Sequence, residues 1–242
     1  MKSILALILL FSLALTQSAS AQEPAPEEYV ILLHGLARSK STMKKMAKQL
    51  QREGYGVLNI QYPSRKKTVQ ELSAENLPDA IAACRDQGAK KIHFVTHSMG
   101  GILVRYYLHD HNVPELGRVV MLSPPNQGSE LVDKLGWIFL FHWINGPAGQ
   151  QLGTHADDLP QQLGPADFEL GVITGDRSIN WINSMLIPGK DDGKVSIQRA
   201  QLDGMRDFIV IHSSHPFIMK KSKAIRQTIA FLRNGCFEHP EK

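Results

Sequence analysis

Serine, aspartate and histidine, the residue types that nucleophilic catalysis uses, occur in this order along the chain, each in a turn or loop that follows a strand-forming run. Ser98 lies between His97 and Gly100 in the segment FVTHSMGG, where a strand-forming run gives way to a helical pattern. Asp192 lies in a later loop, and His215 follows a further apolar run. A serine hydroxyl becomes a good nucleophile when a histidine removes its proton, and that histidine needs an acid to hold its tautomer. The pattern predicts Ser98 as nucleophile, His215 as base and Asp192 as acid.

The turn at Ser98 has the context of a nucleophile elbow, in which a strand runs into a sharp turn and then a helix. Small residues are needed two positions before and two positions after the serine, because backbone and side chain otherwise collide. Gly100 meets the second requirement, but Thr96 replaces the usual glycine at the first. A β-branched residue fits there only when its side chain points away from the turn. The structural alternative for Ser98 is an ordinary helix N-cap.

A loop after the first strand offers the remaining feature of such a site. His34-Gly35 ends that strand, and the backbone N–H of Leu36 can point toward the serine. The N–H of Met99, next to the serine, is the second donor expected for an oxyanion hole. His34 and His97 flank the site and are expected to pack and form hydrogen bonds around the loop and the turn.

Neighbouring residues of the same types compete for the roles of base and acid. His212 is expected to end a strand, whereas His215 lies in the loop beyond it, where a side chain can reach the serine. Asp176 directly follows a strand, and Asp191 is interpreted as a solvated loop charge. Asp192 is placed first of the three acids, and Asp176 stays open as the alternative.

Alternating strand and helix patterns must position these residues. Six short apolar runs predict strands at 29–33, 57–62, 92–96, 119–122, 170–174 and 208–211. The intervening helices include 68–87, with a bend or restart near Pro78, and a closing helix at 217–232. This alternation predicts an α/β fold with a mainly parallel six-stranded sheet and helices on both faces. The candidate catalytic residues then all follow the carboxyl ends of strands, the edge at which such sheets carry their sites.

The N-terminal residues have the pattern of a secretory signal peptide. Lys2 precedes an apolar run, and Ala19-Ser20-Ala21 forms a small-x-small cleavage motif. The apolar run is too short to cross a bilayer comfortably as a helix. We therefore expect residues 1–21 to be removed, export to the periplasm or the medium, and a single domain over residues 22–242.

The composition argues against several classes of protein. The formal net charge is +4, and basic residues are scattered among acidic ones, which does not support nucleic-acid binding. Neither Cys84 nor Cys236 has a histidine or a second cysteine at ligand spacing, so no metal and no other cofactor is expected. Helices on opposite sheet faces are expected to hold the two sulfurs too far apart for a disulfide. The pattern does not indicate an oligomeric state.

The segment from about 128 to 165 interrupts the alternation and contains a nearly continuous apolar run at 137–144. A stretch of this length between strands usually has a functional role. The run can equally be the core of a capping helix.

Five segments, VILLHGLARS, VTHSMGG, SPPNQGS, DDGKVS and IHSSHPFI, resemble those of small secreted bacterial lipases and esterases of the α/β-hydrolase superfamily. The resemblance covers almost all of residues 22–242 and implies a minimal α/β-hydrolase fold with the catalytic and oxyanion residues already named. It also implies that 128–165 is a cap or lid. The aromatic residues of this cap would contact acyl chains of the substrate; they are Trp137, Phe139, Phe141 and Trp143.

The leading hypothesis is an exported serine hydrolase that cleaves acyl or lipid esters through an acyl-enzyme. An apolar cap favours such substrates over charged ones and allows transient contact with a lipid surface. Two alternatives stay open. The imperfect elbow at Thr96 favours a non-catalytic binding protein, and the same triad would also serve an acyltransferase or amidase. The fold alone does not decide among them.

Overall fold

A computed structural model of the chain describes residues 26–137, 139–179 and 181–239, and at 139–144 it describes the backbone alone. The predicted signal peptide, residues 1–21, lies outside the described residues. Within these ranges the strands are β1 Glu28–Leu33, β2 Gly56–Asn59, β3 Lys91–His97, β4 Leu116–Leu122, β5 Leu170–Gly175 and β6 Asp207–Ile211. The α-helices are α1 Lys44–Arg52, α2 Val69–Asp86, α3 Met99–Asp110, α4 Glu130–Leu135, α5 Phe139–Gln150, α6 Leu159–Gln162, α7 Trp181–Leu186, α8 Ile197–Ala200 and α9 Ser222–Asn234. Short 3-10 helices, Lys40–Met43 and Ile218–Lys220, precede α1 and α9.

The strands form one sheet in the order β2-β1-β3-β4-β5-β6, and every neighbouring pair is parallel. The predicted mainly parallel six-stranded α/β sheet is therefore confirmed. The register pairs Leu33 with Thr96 and His97 with Leu122. The carboxyl ends of β1, β3 and β4 consequently lie side by side, which brings the loops that follow them to one edge of the sheet.

Alternate residues of β1 face two separate hydrophobic cores. Ile31 and Leu33 pack in the core formed with α2 and α3, whereas Val30 and Leu32 pack in the core formed with α1 and α9. This division follows from the period of two along a strand. Helices therefore cover both faces of the sheet, as predicted, and the site edge is held between two buried layers.

The second strand is shorter than predicted. The apolar pattern predicts a strand over 57–62, but β2 ends at Asn59. Tyr62 is buried beyond it, where its hydroxyl donates a hydrogen bond to the backbone carbonyl of His34 and its ring stacks on the imidazole at 4.1 Å. The chain leaves the sheet because Tyr62 packs against the loop after β1 and not in a strand ladder.

The helix over 68–87 continues through Pro78 and does not restart there, a restart being one of the two outcomes that the sequence predicted. α2 runs without a break from Val69 to Asp86. Thr68 caps it through a reciprocal arrangement in which its hydroxyl accepts from the Glu71 N–H and its own N–H donates to the Glu71 carboxylate. Leu77 and Ile81 are buried on either side of the proline. Their packing outweighs the local cost of proline in a helix, about 3 kcal/mol.

The closing helix also differs from the prediction of 217–232. A 3-10 turn at Ile218–Lys220 comes first, and α9 then runs to Asn234. Gly235 ends α9 with a left-handed φ of 74°, a conformation that glycine adopts without strain.

The two cysteines are separate thiols in the structure, as expected. Cys84 is buried in α2, which packs on one face of the sheet, and Cys236 is exposed just beyond α9, which packs on the other face. Burial raises the pKa of the Cys84 thiol to about 11, which keeps it protonated at neutral pH.

Among the helices that the structure describes, none is both long enough and apolar enough to cross a membrane.

Candidate active site

Ser98 occupies a strained turn between β3 and α3. Its backbone has φ 54° and ψ −128°, a region that residues other than glycine rarely adopt. Such strain persists only where the surrounding structure imposes it, and it clusters at functional sites. Gly100 makes the turn possible, because a Cβ there would lie 2.9 Å from the carbonyl oxygen of His34. The backbone of Ser98 thus has the geometry of a nucleophile elbow.

Thr96, the departure from the usual glycine, is accommodated by a second glycine. Its side chain is fully buried, and its Oγ1 lies 3.3 Å from the point where a Cβ of Gly101 would be. A larger residue at 101 would crowd both this hydroxyl and the sulfur of Met121. The pair Gly100-Gly101 therefore serves two contacts, one with the backbone after β1 and one with Thr96.

The structure brings Ser98, His215 and Asp192 into one chain of hydrogen bonds. His215 Nε2 lies 3.0 Å from Ser98 Oγ, and His215 Nδ1 lies 2.8 Å from Asp192 Oδ2. An ionised carboxylate can only accept, so Nδ1 carries the proton and Nε2 is free to accept from the serine hydroxyl. This is the tautomer that a general base for Ser98 needs.

Asp192 is completely buried, and its surroundings favour the ionised form. Burial alone would raise the pKa of its carboxyl, but the neighbouring charge and hydrogen bond of His215 and the N–H of Val195 outweigh that effect and lower the pKa. The second oxygen, Oδ1, accepts from the backbone N–H groups of Lys194 and Val195 at 3.0 Å each. The loop 191–195 thus folds around this carboxylate.

Asp191 is not a solvated charge, contrary to the interpretation from sequence. It is buried, and its Oδ1 accepts hydrogen bonds from the Ser184 hydroxyl at 2.9 Å and from the Gly193 N–H at 2.6 Å. The side chain therefore braces the loop that carries Asp192. The loop needs this brace because it otherwise has little regular structure.

The competing residues Asp176 and His212 pair with each other. His212 Nδ1 lies 3.0 Å from Asp176 Oδ1, and 74% of the His212 side chain is exposed. His215 lines the cavity that contains Ser98, whereas His212 does not. The geometry therefore favours Asp192 and His215 over the alternatives.

The loop after β1 passes directly beside the serine. A Cβ at Gly35 would lie 2.7 Å from His97 Nδ1 and 3.1 Å from the Ser98 Cβ, so only glycine fits this approach. Leu36, the next residue, lines the same cavity as Ser98. Met99 is the first residue of α3, so its N–H has no acceptor within the helix. The role of these two N–H groups as an oxyanion hole stays a prediction.

Residues after β2 anchor this loop and were missed by the sequence analysis. The Ser64 hydroxyl accepts from the Ala37 N–H at 3.1 Å, and Ala37 has a left-handed φ of 54°. Tyr62 holds the carbonyl of His34, as described above. The polar segment after Ile60 offered no signal for this role, because its contacts are made across the sheet edge.

His97 contacts the candidate base from behind. Its Nε2 donates to the backbone carbonyl of His215 at 3.0 Å, and the two rings lie 4.9 Å apart. Burial, together with the neighbouring charge of His215, holds the pKa of His97 well below its ordinary value. A neutral His97 fits the structural role that the sequence predicted for it, because it positions the loop of His215 without adding charge.

Ser98 and His215 line a cavity of about 410 Å³. This size falls in the range of small-molecule sites. One wall is apolar and comes largely from the insertion; its residues are Leu131, Val132, Leu135 and Leu152, with Val195 beside Asp192. The cavity can therefore receive an acyl group next to the serine hydroxyl.

The segment 128–165, predicted to be a cap, contains helices α4, α5 and α6, and the backbone of α5 leaves helical geometry at Gly146. Trp137 does not line the cavity: 81% of it is exposed and its indole N–H donates to the Lys134 carbonyl at 2.9 Å. The side chains of Phe139, Phe141 and Trp143, also expected to contact substrate, lie outside the described residues. The described apolar contacts come instead from the α4 residues named above.

The part of the chain that the structure describes contains no group of three histidine, cysteine or carboxylate side chains that could hold a metal ion.

Comparison with known proteins places the chain among acyl hydrolases. Residues 29–160 match the family described as palmitoyl protein thioesterase. The human lysosomal thioesterase PPT2 is 25% identical over an alignment of 242 residues, which covers 83% of this chain and 76% of that protein.

Solved structures with the same fold include a lipase and a carboxyl esterase. The mature Bacillus licheniformis lipase BlEst2 superimposes with a TM-score of 0.67 at 20% identity, over 89% of this chain and 94% of that one. The metagenomic carboxyl esterase MGS0156 gives a TM-score of 0.63 at 17% identity, over 80% of this chain and 66% of that one. At this level of identity the similarity shows the α/β-hydrolase fold, as the sequence predicted.

Proposed function

Since the chain belongs to the palmitoyl protein thioesterase family and is a serine hydrolase that acts on esters, we propose that it removes acyl groups through Ser98, His215 and Asp192. The observation that carries this proposal is the continuous hydrogen-bonded chain from Ser98 Oγ through His215 to Asp192, at 3.0 and 2.8 Å. It opens on a cavity with an apolar wall, where an acyl group would lie.

In the first half of the reaction, Ser98 Oγ attacks the acyl carbonyl carbon while His215 Nε2 takes the hydroxyl proton. Asp192 stabilises the imidazolium that forms. The carbonyl oxygen becomes an oxyanion, and the N–H groups of Leu36 and Met99 donate to it; each such donor is worth roughly 3 kcal/mol in a comparable hydrolase.

The tetrahedral intermediate then collapses and breaks the bond to the leaving oxygen or sulfur. That atom receives the proton from His215 Nε2, and Ser98 is left as an acyl ester. In the second half of the reaction, water attacks the acyl-enzyme and gives its proton to His215. A second collapse returns a proton to Ser98 Oγ and releases the carboxylic acid.

The bond that is cleaved is an ester or a thioester. The family description supports thioesters, whereas the resemblance in sequence predicts carboxylic esters. A thiol has a pKa of about 8.5, so a thiolate leaves more readily than an alkoxide. We therefore expect a thioester to react faster than the oxygen ester of the same acyl chain.

Hydrolysis of matched esters tests the proposal. The protein spanning residues 22–242 and its Ser98→Ala variant are assayed with p-nitrophenyl esters and S-acyl thioesters from acetyl to palmitoyl. Ser98→Ala is expected to lower kcat by about 10⁶-fold, with an unchanged unfolding curve as the control. The chain-length optimum then sizes the acyl site.

A fluorophosphonate probe separates the alternatives. Stoichiometric labelling of Ser98 together with turnover supports the hydrolase. Labelling without hydrolysis, but with transfer to an added alcohol or amine, would identify an acyltransferase. If neither labelling nor turnover is seen, the fold serves binding and the proposed mechanism is wrong.

Export is part of the proposal and rests on the pattern of residues 1–21. We expect the exported protein to begin at Gln22, and intact-mass analysis of the periplasmic and medium fractions measures this directly. Retention of residue 1 in an exported or membrane-bound form would contradict cleavage after Ala21.

Contact with a lipid surface is also proposed, because apolar side chains are exposed beside the cavity. Trp181, Ile182 and Met185 of α7 are each more than half exposed, and Asn183 between them lines the cavity. Co-sedimentation with zwitterionic vesicles, compared between the wild type and Trp181→Ser, tests this contact; equal sedimentation of the two would argue against it.

A further inference from the structure

Two cations lie in the wall of the cavity that contains Ser98. Arg38 belongs to the loop after β1, and Lys194 follows Asp192 by two residues; both line the cavity and both are exposed to it. Within the described residues, neither side chain forms an ion pair or a hydrogen bond. An apolar acyl chain has no use for these charges, which therefore need another explanation.

The electrostatic relation between the two residues is repulsive. Two effects lower the pKa of Lys194: desolvation, which is the larger, and the positive charge of Arg38. The negative charge of Asp192 acts in the opposite direction. Asp192 makes no direct hydrogen bond to either cation in the described residues, because its oxygens accept from His215 and from backbone N–H groups. A bound anion would relieve the repulsion between Arg38 and Lys194.

The positive surface continues away from the serine along a second cavity. This cavity, of about 670 Å³, shares Arg38 with the first and is also lined by Arg65 and Lys66, while no carboxylate lines it. The next residue, Lys67, differs because it pairs with Glu75 at 2.5 Å. Arg38, Arg65 and Lys66 thus form a continuous basic surface, called the basic path, that begins at the cavity containing Ser98.

The cap holds this path in place. The Lys67 carbonyl accepts from the Ala148 N–H at 3.2 Å, and the carbonyl of Arg65 lies so close to Gly146 that a Cβ there would be 2.0 Å from its oxygen. The Ser129 hydroxyl donates to the Lys194 carbonyl at 2.8 Å. The backbone of the basic residues is therefore tied to the same insertion that supplies the apolar wall.

We propose that the substrate carries phosphate on its leaving group, and that Arg38 and Lys194 bind this phosphate, with Arg65 and Lys66 extending the site. The inference rests on the proposed function and specifies its substrate class. It departs from the expectation of an uncharged substrate, because the acyl and leaving-group portions meet different surfaces. Arginine and lysine are the side chains that bind phosphate most strongly, through charge-assisted hydrogen bonds.

Matched substrate pairs test the proposal, since each pair differs only in a phosphate. One pair is S-butyryl-pantetheine and its 4′-phosphate; the other is 1-butyrylglycerol and its 3-phosphate. The pairs place phosphate at different distances from the scissile bond and so distinguish a thiol carrier from a lipid headgroup as its source. In at least one pair, kcat/KM of the phosphorylated member is expected to be about tenfold higher, and the ratio should fall as salt is added.

Charge-neutralising variants localise the effect. Arg38→Gln and Lys194→Gln are each expected to lower the phosphorylated-to-neutral ratio by about tenfold, and Lys66→Gln by less. Lys223→Gln on α9 removes the same charge from an exposed position outside both cavities and should keep the wild-type ratio. A ratio near one in both pairs for the wild type, or equal ratios in Arg38→Gln, Lys194→Gln and Lys223→Gln, would overturn the inference.

Binding to the Ser98→Ala protein keeps this test separate from that of the proposed function. Calorimetry compares 4′-phosphopantetheine with pantetheine and glycerol 3-phosphate with glycerol. Tighter binding of a phosphorylated compound supports the phosphate site even if no turnover is found. Serine-dependent hydrolysis of neutral esters, without any preference for phosphorylated substrates, would support the proposed hydrolase function and contradict the proposed phosphate site.

Discussion

Two histidine–aspartate pairs lie at the same edge of the sheet, and they differ in burial far more than in geometry. His215 and Asp192 are 2.8 Å apart, and His212 and Asp176 are 3.0 Å apart. The side chains of the first pair are 5% and 0% exposed, whereas those of the second are 74% and 32% exposed. The buried pair reaches Ser98, through His215 Nε2.

Residue type and spacing therefore do not distinguish the pair proposed to be catalytic from the other pair. Burial removes water as a competing hydrogen-bond partner, so the buried carboxylate keeps the imidazole in a single tautomer. The low local dielectric also strengthens the electrostatic interaction between the carboxylate and the imidazole. The exposed pair gains little, because solvent screens its charges and its side chains lose entropy on pairing. The next four predictions test this contrast, beginning with the largest effect.

Removal of each histidine should separate the pairs most strongly. His215→Ala is expected to lower kcat by about 10⁶-fold, because no other described group contacts Ser98 Oγ as a base. His212→Ala should stay within about twofold of the wild type, as for most surface substitutions. Ester hydrolysis by both variants measures the contrast. A larger loss in His212→Ala than in His215→Ala would reverse the assignment.

Neutralising each aspartate gives the second contrast. Asp192→Asn is expected to lower kcat by about 10⁴-fold, because an amide can donate to His215 Nδ1 and favour the wrong tautomer. Asp176→Asn should leave kcat nearly unchanged. Initial rates under saturating ester, with thermal unfolding as the control for folding, check both variants. Comparable losses in the two would show that Asp176 also acts on the base.

The third contrast concerns stability as a function of pH. In the folded protein the pKa of His97 lies well below the unfolded value of 6.5 because of burial, so below that pH the unfolded chain binds a proton that the folded chain does not. The free energy of unfolding should therefore fall as pH decreases from 6.5, with a slope of up to about 1.4 kcal/mol per pH unit.

Urea unfolding at several pH values measures this slope. His97→Gln keeps a side-chain N–H that can donate to the His215 carbonyl but cannot titrate, so its slope should be shallower than that of the wild type. His212→Gln, which removes an exposed imidazole, is the matched control for the substitution itself. Identical slopes in all three proteins would contradict the role assigned to the burial of His97.

The smallest effect is expected from the exposed pair itself. A double-mutant cycle of Asp176→Asn and His212→Gln should give a coupling free energy below about 1 kcal/mol, decreasing further with salt. Urea unfolding of the four proteins supplies the cycle. A coupling well above that value would mean that the surface pair contributes to stability as a buried pair does.

Much of the fold could be predicted because the spacing of apolar residues along the chain indicates which side chains are buried. Continuous apolar runs identified all six described strands, and the helical patterns between them indicated that neighbouring strands are parallel. The errors occurred where a tertiary contact outweighed the local pattern. Tyr62 leaves the strand pattern to stack on His34, and Pro78 stays within α2 because the residues around it are buried.

The candidate site divides in the same way. The elbow at Ser98 was recognisable because glycines at fixed spacing report a steric requirement of the turn itself. The positions of Arg38 and Lys194 in one cavity were not recognisable, since they lie far apart along the chain and meet only through the arrangement of β1 and β5 loops. Asp191, adjacent to Asp192, was misread because burial in a loop leaves no periodic signal.

By itself the sequence determined the α/β architecture, the sharp turn at the serine, and the order of the candidate serine, acid and base, because these depend on the periodicity and size of neighbouring residues. The tertiary structure decided which histidine–aspartate pair is buried against Ser98, that Gly101 accommodates Thr96, and that four basic residues lie along one path from the cavity. Those outcomes depend on dielectric environment and on contacts between loops from different strands, which only the packed chain defines.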